Sequence, residues 1–357
     1  MKVALILGTR PEIIKLSPVI RECEKRNLDY VILHTNQHYS HQMDKIFFQE
    51  LELPLPDYNL NIGSGAHGEQ TGKMIIGIEE ILIKERPDVV LVEGDTNTVL
   101  AGALAASKLH IKIGHIEAGL RSFDRSMPEE INRVITDHIS DYLFAPTVES
   151  RGNLIREGIP DEKVYITGNT IVDSVFQNLV IAETKSNKIH ELGIIKGEYI
   201  LVTSHRQENV DNKEKIKSIF SGLEQIYDQF NMPIIYPIHP RSKKMLRTFG
   251  ILIPQGVQII DPLGFLDFLQ LEANARIVLT DSGGVQEETC ILKVPCVTLR
   301  DNTERPETIN AGSNVLVGTD ETRILKGVEK MLERKPTWEN PFGNGQTAKK
   351  ILEILGC

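Results

Sequence analysis

The sequence predicts an α/β protein with two Rossmann-like domains, each a doubly wound parallel sheet covered by helices on both faces. Short apolar runs of strand length alternate with amphipathic or alanine-rich stretches along the chain. There are twelve such runs, and twelve strands in one sheet would be unusual. The chain of 357 residues is also long for one domain, since domains typically contain roughly 150 residues.

The predicted strands fall into two series. The first series is Val3–Leu7, Tyr30–His34, Val89–Glu93, Ile111–Ile116, Tyr142–Ala145 and Val164–Thr167. The second series is Ile200–Thr203, Ile234–Ile238, Val257–Ile260, Ile277–Leu279, Cys296–Leu299 and Val315–Val317. Helical patterns such as Thr98–Leu109 and Glu214–Phe230 lie between the strands. We therefore predict domains of residues 1–168 and 169–345, with a last helix in residues 346–357 that the pattern alone assigns to neither domain.

Composition limits the classes of function. The chain is 41% hydrophobic and 25% charged, as in ordinary globular proteins, and its net charge of −9 argues against nucleic acid and anionic membranes as partners. No apolar run approaches the roughly 20 residues that span a bilayer, and Met1–Leu7 is too short for a secretory signal. The cysteines, Cys23, Cys290, Cys296 and Cys357, lack the spacing of a metal or thioredoxin-type site. We expect a cytoplasmic protein without a bound metal.

The segment Thr280–Glu288 predicts an anion site. It follows the apolar run Arg276–Leu279, turns at Gly283 and Gly284, and continues into a helical pattern. Unpaired N–H groups and the positive end of the helix dipole attract phosphate at such a turn. Glu288, one turn into the helix, is placed to accept hydrogen bonds from ligand hydroxyls.

Carboxylates follow neighbouring predicted strands. Asp95 comes after one strand and Glu117 after the next, so both leave the sheet at its carboxyl edge, where open α/β sheets bind ligands. A shared site can separate their pKa values and divide acid and base roles. Structural alternatives exist, because Asp95 can cap the following helix. A third carboxylate, Glu129, can form a capping box with Ser126 or an ion pair with Arg133.

Basic side chains also follow predicted strands and are suited to phosphate groups. They are Arg10, Lys15, His205, His239, Arg300 and Arg305. Each can also be read alone as a solvated loop charge.

Seven motifs occur in order along the chain. They are Gly8–Glu12, Gly94–Thr96, His115–Arg121, Pro128–Arg133, Thr167–Thr170, Asp281–Glu288 and Arg300–Glu307. Together they resemble the non-hydrolysing UDP-N-acetylglucosamine 2-epimerase family from residue 8 to about residue 320. The resemblance implies the GT-B arrangement, with two domains facing a cleft and the C-terminal helix returning to the first domain.

The activity implied by the resemblance interconverts UDP-GlcNAc and UDP-ManNAc through a 2-acetamidoglucal, with no cofactor or metal. It also implies a homodimer and a product used for surface polysaccharide or glycan synthesis. Catalytic roles then fall on Asp95, Glu117, Glu129 and His205. Substrate-binding roles fall on Arg10, Lys15, Arg133, His239, Phe268, Ser282, Gly283, Gly284, Glu288 and Arg305. Among these, Phe268 would lie near the uracil and Glu288 at the ribose.

The chain departs from the bacterial pattern at two positions, Glu69 and Gln207, where arginines are common in the family. Bacterial members bind a second UDP-GlcNAc as an activator. Gln42 and Arg206 would remain to serve such a site, but the negative charge of Glu69 would repel a diphosphate. Three other functions stay open: a hydrolysing epimerase, a GT-B glycosyltransferase and a UDP-sugar-binding regulator.

Overall fold

The computed structural model describes residues 1–36 and 41–357, with side chains described for 1–36 and 45–357. Its contacts divide the chain into two compact units. Unit 1 consists of Met1–Gln177 and Phe342–Cys357, and unit 2 of Asn178–Pro341. The predicted domain boundary follows residue 168, whereas the contacts group residues 169–177 with unit 1.

Unit 1 contains a seven-stranded sheet with strand order β3-β2-β1-β4-β5-β6-β7. Its strands are β1 Lys2–Leu7, β2 Asp29–His34, β3 Tyr58–Asn59, β4 Val89–Glu93, β5 Lys112–Ile116, β6 Tyr142–Ala145 and β7 Val164–Ile166. Its helices are α1 Arg10–Lys25, α2 His41–Glu50, α3 His67–Glu85, α4 Asn97–Lys108, α5 Pro128–Ile139, α6 Val148–Arg156, the start of α7 Thr170–Lys185, and the C-terminal helix α16 Thr347–Leu355. All neighbouring strands pair in parallel.

Unit 2 contains a six-stranded sheet with strand order β10-β9-β8-β11-β12-β13, again with parallel neighbours. Its strands are β8 Ile200–Thr203, β9 Ile234–Pro237, β10 Val257–Ile260, β11 Ile277–Thr280, β12 Cys296–Thr298 and β13 Asn314–Leu316. Its helices are α8 Lys188–Glu191, α9 Gln207–Val210, α10 Lys213–Phe230, α11 Pro240–Phe249, α12 Phe265–Ala273, α13 Gly283–Leu292, α14 Pro306–Ala311 and α15 Glu321–Leu332.

The predicted fold class of two doubly wound parallel sheets is confirmed. One strand was missed, because β3 has only two residues and lies at the edge of its sheet. Two residues are too few to show the period of a strand. The central strands are buried on both faces, which is why they read as continuous apolar runs.

The strand orders place the ends of particular strands at ligand-binding positions. In unit 1 the order reverses between β1 and β4, and in unit 2 between β8 and β11. Ligands of open α/β sheets bind beyond the carboxyl ends of the strands at such reversals. Gly8 lets the chain turn from β1 into α1, since a Cβ there would lie 2.2 Å from the hydroxyl oxygens of both Thr35 and Thr98.

Helix α16 joins unit 1 although it lies at the far end of the chain. It packs against α1, and Asp173 in α7 accepts hydrogen bonds from the Thr347 N–H at 3.2 Å and the Ala348 N–H at 3.0 Å. These bonds satisfy N–H groups that a helix leaves unpaired at its start. Among the helices of the described part of the chain, none is both long and apolar enough to cross a membrane.

Candidate functional site

Glu93, Glu117 and Lys15 form a buried charge cluster beyond β4 and β5. Glu93 is the last residue of β4, and Glu117 follows β5 directly. The Lys15 Nζ atom, reaching in from α1, lies 2.6 Å from Glu117 Oε1 and 3.3 Å from Glu93 Oε1. The side-chain amide of Asn169 also donates to Glu117 Oε1 at 2.9 Å. Lys15 was predicted to contact substrate, and here its ammonium pairs with these carboxylates.

A third buried carboxylate, Glu12, lies in the first turn of α1. It accepts hydrogen bonds from the Gly8 and Thr9 N–H groups and from the Thr96 hydroxyl. Burial raises the pKa of Glu12 to about 7, against these hydrogen bonds. Since α1 begins at Arg10, this carboxylate also caps the helix that supplies Lys15.

Asp95 pairs with Arg133 from α5. The Asn132 side chain donates to the Asp95 carbonyl oxygen at 2.9 Å, so two neighbouring residues of α5 hold this segment. The cap of α4 is Thr96, whose Oγ1 accepts from the Thr98 N–H at 3.2 Å. The reading of Asp95 as the helix cap was therefore wrong, and its carboxylate belongs with Arg133.

Glu129 lies half-buried in the first turn of α5. The proposed capping box is wrong, because the cap position is Met127 and the Ser126 hydroxyl donates to Asp124 at 2.7 Å. The alternative ion pair with Arg133 is also wrong, since Arg133 pairs with Asp95 and with Glu130 at 2.9 Å. Glu129 thus keeps neither of the two structural roles considered for it.

A fully buried histidine supports the turn that carries Asp95. His115 in β5 lies with Nε2 at 2.9 Å from the Gly94 carbonyl oxygen and with Nδ1 at 2.7 Å from Asp137. Burial alone would raise the pKa of Asp137, but His115 and Arg121 offset this and hold it below its ordinary value. Gly94 needs its glycine because its φ is +87°, a conformation that other residues rarely adopt.

Arg10, the first residue of α1, lies with its guanidinium carbon 5.5 Å from the centre of the Phe47 ring. This stacking holds the side chain beside the carboxyl end of β1, where the sequence analysis placed it. Gln42 lies in α2, but its side chain is outside the described residues. Glu69 is exposed and pairs with Lys73 at 2.6 Å, in agreement with a solvated helix face.

In unit 2, Asp281 organises the segment that follows β8. Its carboxylate, fully buried, accepts hydrogen bonds from the His205 N–H at 3.0 Å and the Arg206 N–H at 3.0 Å. It also accepts from the Ser204 hydroxyl at 2.8 Å and the Asn209 amide at 3.1 Å. This role of Asp281 could not be predicted from the sequence, since these donors lie more than 70 positions away in the chain.

The start of α13 has the geometry of an anion site. The helix begins at Gly283, with Ser282 as its cap residue. A Cβ at Gly284 would meet no atom within 4 Å, and one at Gly283 only Glu304 at 3.9 Å. The space above these two glycines is therefore open, and a phosphate can approach their backbone N–H groups.

The two histidines predicted at strand ends are neighbours. The rings of His205 and His239 have centroids 6.0 Å apart, and the His205 side chain is 45% exposed. His239 caps α11, with Nδ1 accepting from the Arg241 N–H at 3.2 Å. Burial, His205 and Arg241 together lower the pKa of His239, which favours its neutral form.

Both arginines after β12 pair with carboxylates. Arg300 forms a two-point pair with Glu304 at 2.8 and 2.9 Å, and this hydrogen bonding lowers the pKa of Glu304 to about 2. Arg305 Nε lies 2.7 Å from Glu287 Oε1 in α13. Arg206, predicted for an activator site, lies 3.8 Å from Glu304. The Glu287 pair fixes Arg305 beside the same helix that presents the open glycines.

Glu288 and Phe268 lie in α13 and α12, two helices that contact each other. Glu288 is buried in α13, and burial together with this carboxylate raises the pKa of Glu272 well above its ordinary value. Phe268 in α12 packs half-buried against an apolar cluster that includes Tyr199 and Val285.

Glu12, Glu93, Asn169 and Asp281 are the site residues that sequence reasoning missed. The one sequence signal that could have indicated any of these residues was a charged residue within an apolar run, as at Glu93.

Comparison with known proteins identifies the family. The UDP-N-acetylglucosamine 2-epimerase family profile matches residues 21–356. The UDP-N-acetylglucosamine 2-epimerase of Methanocaldococcus jannaschii is 61% identical over 361 residues, covering 99% of both chains. That of Methanococcus maripaludis is 58% identical, covering 99% of this chain and 98% of that one.

A solved structure agrees with this assignment. The crystal structure of the Methanocaldococcus jannaschii enzyme in complex with UDP-GlcNAc and UDP matches with a TM-score of 0.88 at 60% identity, covering 100% of this chain and 99% of that one. Matching over nearly its whole length in sequence and in fold, the chain belongs to the UDP-N-acetylglucosamine 2-epimerase family, a family of isomerases.

Proposed function

We propose that this protein interconverts UDP-GlcNAc and UDP-ManNAc by inverting the configuration at C2 of the sugar. The proposal is carried by the whole-length similarity to an enzyme of this family whose crystal structure contains UDP-GlcNAc and UDP. The residues described above support it. Unit 1 supplies buried carboxylates for proton transfer, and unit 2 supplies a helix N-terminus with open glycines for phosphate.

The chemical route that we propose is elimination of UDP followed by its return. The C2–H bond breaks as a base takes the proton, its electron pair forms the C1–C2 double bond, and the C1–O bond breaks to release UDP. A proton then adds to C2 on the other face, and the β-phosphate oxygen of UDP attacks C1. Coupling the loss of a weakly acidic proton to the departure of a stable anion is what makes the first step accessible.

In this route Asp95 and Glu117 exchange the C2 proton, with Glu129 assisting. Arg133 holds Asp95, while Lys15 and Asn169 hold Glu117, so each carboxylate has a set position. Such fixed positions are a requirement of proton transfer within an active site.

The leaving diphosphate would be stabilised by the residues of unit 2. The Ser282 hydroxyl, the N–H groups of Gly283 and Gly284 and the positive end of α13 attract its charge, and His205 and Arg305 add donors. Glu288 would bind the ribose and Phe268 would lie near the uracil. Following the resemblance, we further propose a cytoplasmic homodimer whose product feeds surface polysaccharide or glycan synthesis.

Incubation with UDP-GlcNAc in deuterated water tests the function. We expect UDP-ManNAc to form and deuterium to appear at C2, because the proton that returns comes from a group in exchange with solvent. The measurements are proton NMR and mass spectrometry of the UDP-sugars.

Other products would point to other functions. Free ManNAc together with UDP would identify a hydrolysing epimerase. Reaction only after addition of an acceptor sugar would identify a glycosyltransferase. Binding without any exchange at C2 would identify a regulator, and each of these outcomes would contradict the proposal.

A further inference from the structure

The Lys15 ammonium is shared by two carboxylates, of which only one has a proposed part in the reaction. It lies 2.6 Å from Glu117 and 3.3 Å from Glu93. Glu93 is 2% exposed, so water does little to stabilise its charge. A charged group held this deep at the end of β4 is costly unless it interacts with another charge.

The groups that face Glu93 are mostly acidic. Helix α1 contributes Lys15 and Glu12, the turn after β4 contributes Asp95, and the segment after β5 contributes Glu117. Asp95 has the Arg133 guanidinium as a partner, so the Lys15 ammonium stands against the carboxyl groups of Glu12, Glu93 and Glu117, which cannot all be ionised at low cost. Burial raises the pKa of Glu93 well above its ordinary value, Lys15 counteracts this, and the three other carboxylates reinforce it.

We propose that Glu93 is a positioning residue of the epimerisation, which acts through the shared Lys15 ammonium to decide how firmly Glu117 holds its proton. The inference rests on the proposed function and assigns a role to a residue that would not itself touch the sugar. Glu93 and Glu117 compete for the Lys15 ammonium, so the charge state of Glu93 changes the proton affinity of Glu117.

The consequences of this competition follow from electrostatics. When Glu93 is neutral, the ammonium acts mainly on Glu117 and favours its ionised form, which serves as a base. When Glu93 is ionised, it draws on the same ammonium and adds a negative charge nearby, so Glu117 retains a proton and serves as an acid. A reversible reaction needs Glu117 in both forms, and this arrangement keeps both accessible.

The variant Glu93→Gln tests the inference because it keeps the size and polarity of the side chain but can never be charged. Wild-type Glu93 is neutral at low pH and becomes charged only as the pH rises, because its pKa is raised. With Glu93 permanently neutral, Glu117 loses its proton more easily in that range, and the alkaline limb of the kcat/KM profile moves to lower pH. We expect a shift of about one pH unit, the usual scale for a close charge, with KM for UDP-GlcNAc almost unchanged. A purely structural role would lower activity without moving the limb.

Two further variants complete the test. Glu93→Asp keeps the carboxylate but moves it away from Lys15, so the limb should move in the same direction by a smaller amount. This variant also tests the inference if Glu93→Gln fails to fold. Glu85→Gln is the matched control, because Glu85 pairs with Lys2 at 2.7 Å elsewhere in unit 1. Its profile should match that of the wild type.

The wild-type assay comes first and separates the two proposals. If the wild type forms no UDP-ManNAc, the proposed function fails and this inference fails with it. If the wild type is active and the limbs of Glu93→Gln and Glu93→Asp coincide with its own, the inference alone is overturned. A rise in KM without movement of the limb would also overturn it, because it would assign Glu93 to substrate binding.

Discussion

Asp95 and Glu117 differ in the groups that hold them. Asp95 lies against the guanidinium of Arg133, whereas Glu117 lies against the ammonium of Lys15 and the amide of Asn169. A guanidinium stays charged at every working pH, while the Lys15 cation is divided between two carboxylates. The two proposed acid/base groups therefore have different electrostatic surroundings, as division of labour between acid and base requires.

Replacement of these carboxylates should separate catalysis from binding. Asp95→Asn and Glu117→Gln should each lower turnover by about two or more orders of magnitude, the usual range for acid/base groups. Calorimetric binding of UDP should change little, because the proposed phosphate site lies in unit 2. Asp161→Asn removes an exposed carboxylate of unit 1 that pairs with Arg151, and serves as the control. Near-normal turnover in both variants would remove the assignment.

At the scale of the elements, the positions of the segments that follow β8 and β11 depend on each other. The Asp281 carboxylate, which follows β11, accepts hydrogen bonds from the segment after β8, including the backbone N–H groups of His205 and Arg206. That segment carries one proposed diphosphate ligand, and Ser282 and Gly283 follow Asp281 directly. One buried carboxylate thereby positions both segments of unit 2 that are proposed to bind phosphate.

Asp281→Asn tests this dependence. One carboxylate oxygen becomes an NH2 group that faces N–H donors, and we expect the free energy of unfolding to fall by about 2–3 kcal/mol. UDP affinity should fall as well. Urea denaturation and calorimetry measure the two effects, with Asp261→Asn as the control, since Asp261 is exposed and pairs only at the surface with Lys243. A change in stability no larger than that of the control would contradict the prediction.

At the scale of the molecule, unit 1 is assembled from two distant parts of the chain. The segment after residue 341 returns to it, and Asp173 in α7 caps α16 across 174 positions. The Thr347 hydroxyl also donates to the Thr167 carbonyl oxygen at 3.2 Å. The stability of the unit that carries the proposed acid/base residues thus depends on helix α16.

A chain that ends at Gln346 should therefore lose stability in unit 1 first. Helix α16 buries Ile351 and Leu352, so its removal exposes apolar surface on α1. Hydrogen exchange should become faster in β1 and β4 and remain unchanged in β8 and β11. The milder variant Asp173→Ala, which removes only the cap, should cost about 1 kcal/mol. Equal acceleration of exchange in both units would show that α16 has no special role in unit 1.

Much of the fold could be predicted because its signals are local. Buried parallel strands are continuous apolar runs, and the glycines after β11 mark the turn into α13. The strand β3 was missed because two residues carry no period. The capping box at Ser126 was wrong because Met127, one residue later, occupies the cap position of α5. Local patterns of polar residues allow several partners, and only the folded chain selects one.

By itself, the sequence determined the two α/β series, the carboxyl-edge position of Asp95 and Glu117, the glycine turn in Asp281–Glu288 and the family resemblance. The tertiary structure alone decided that Lys15 lies between Glu93 and Glu117, that Arg133 holds Asp95, and that Asp281 anchors the segment after β8. The physical reason is the range of the interactions. Periodicity and turn chemistry act within a few residues, whereas a buried charge is stabilised by whichever groups the fold brings within a few ångströms of it.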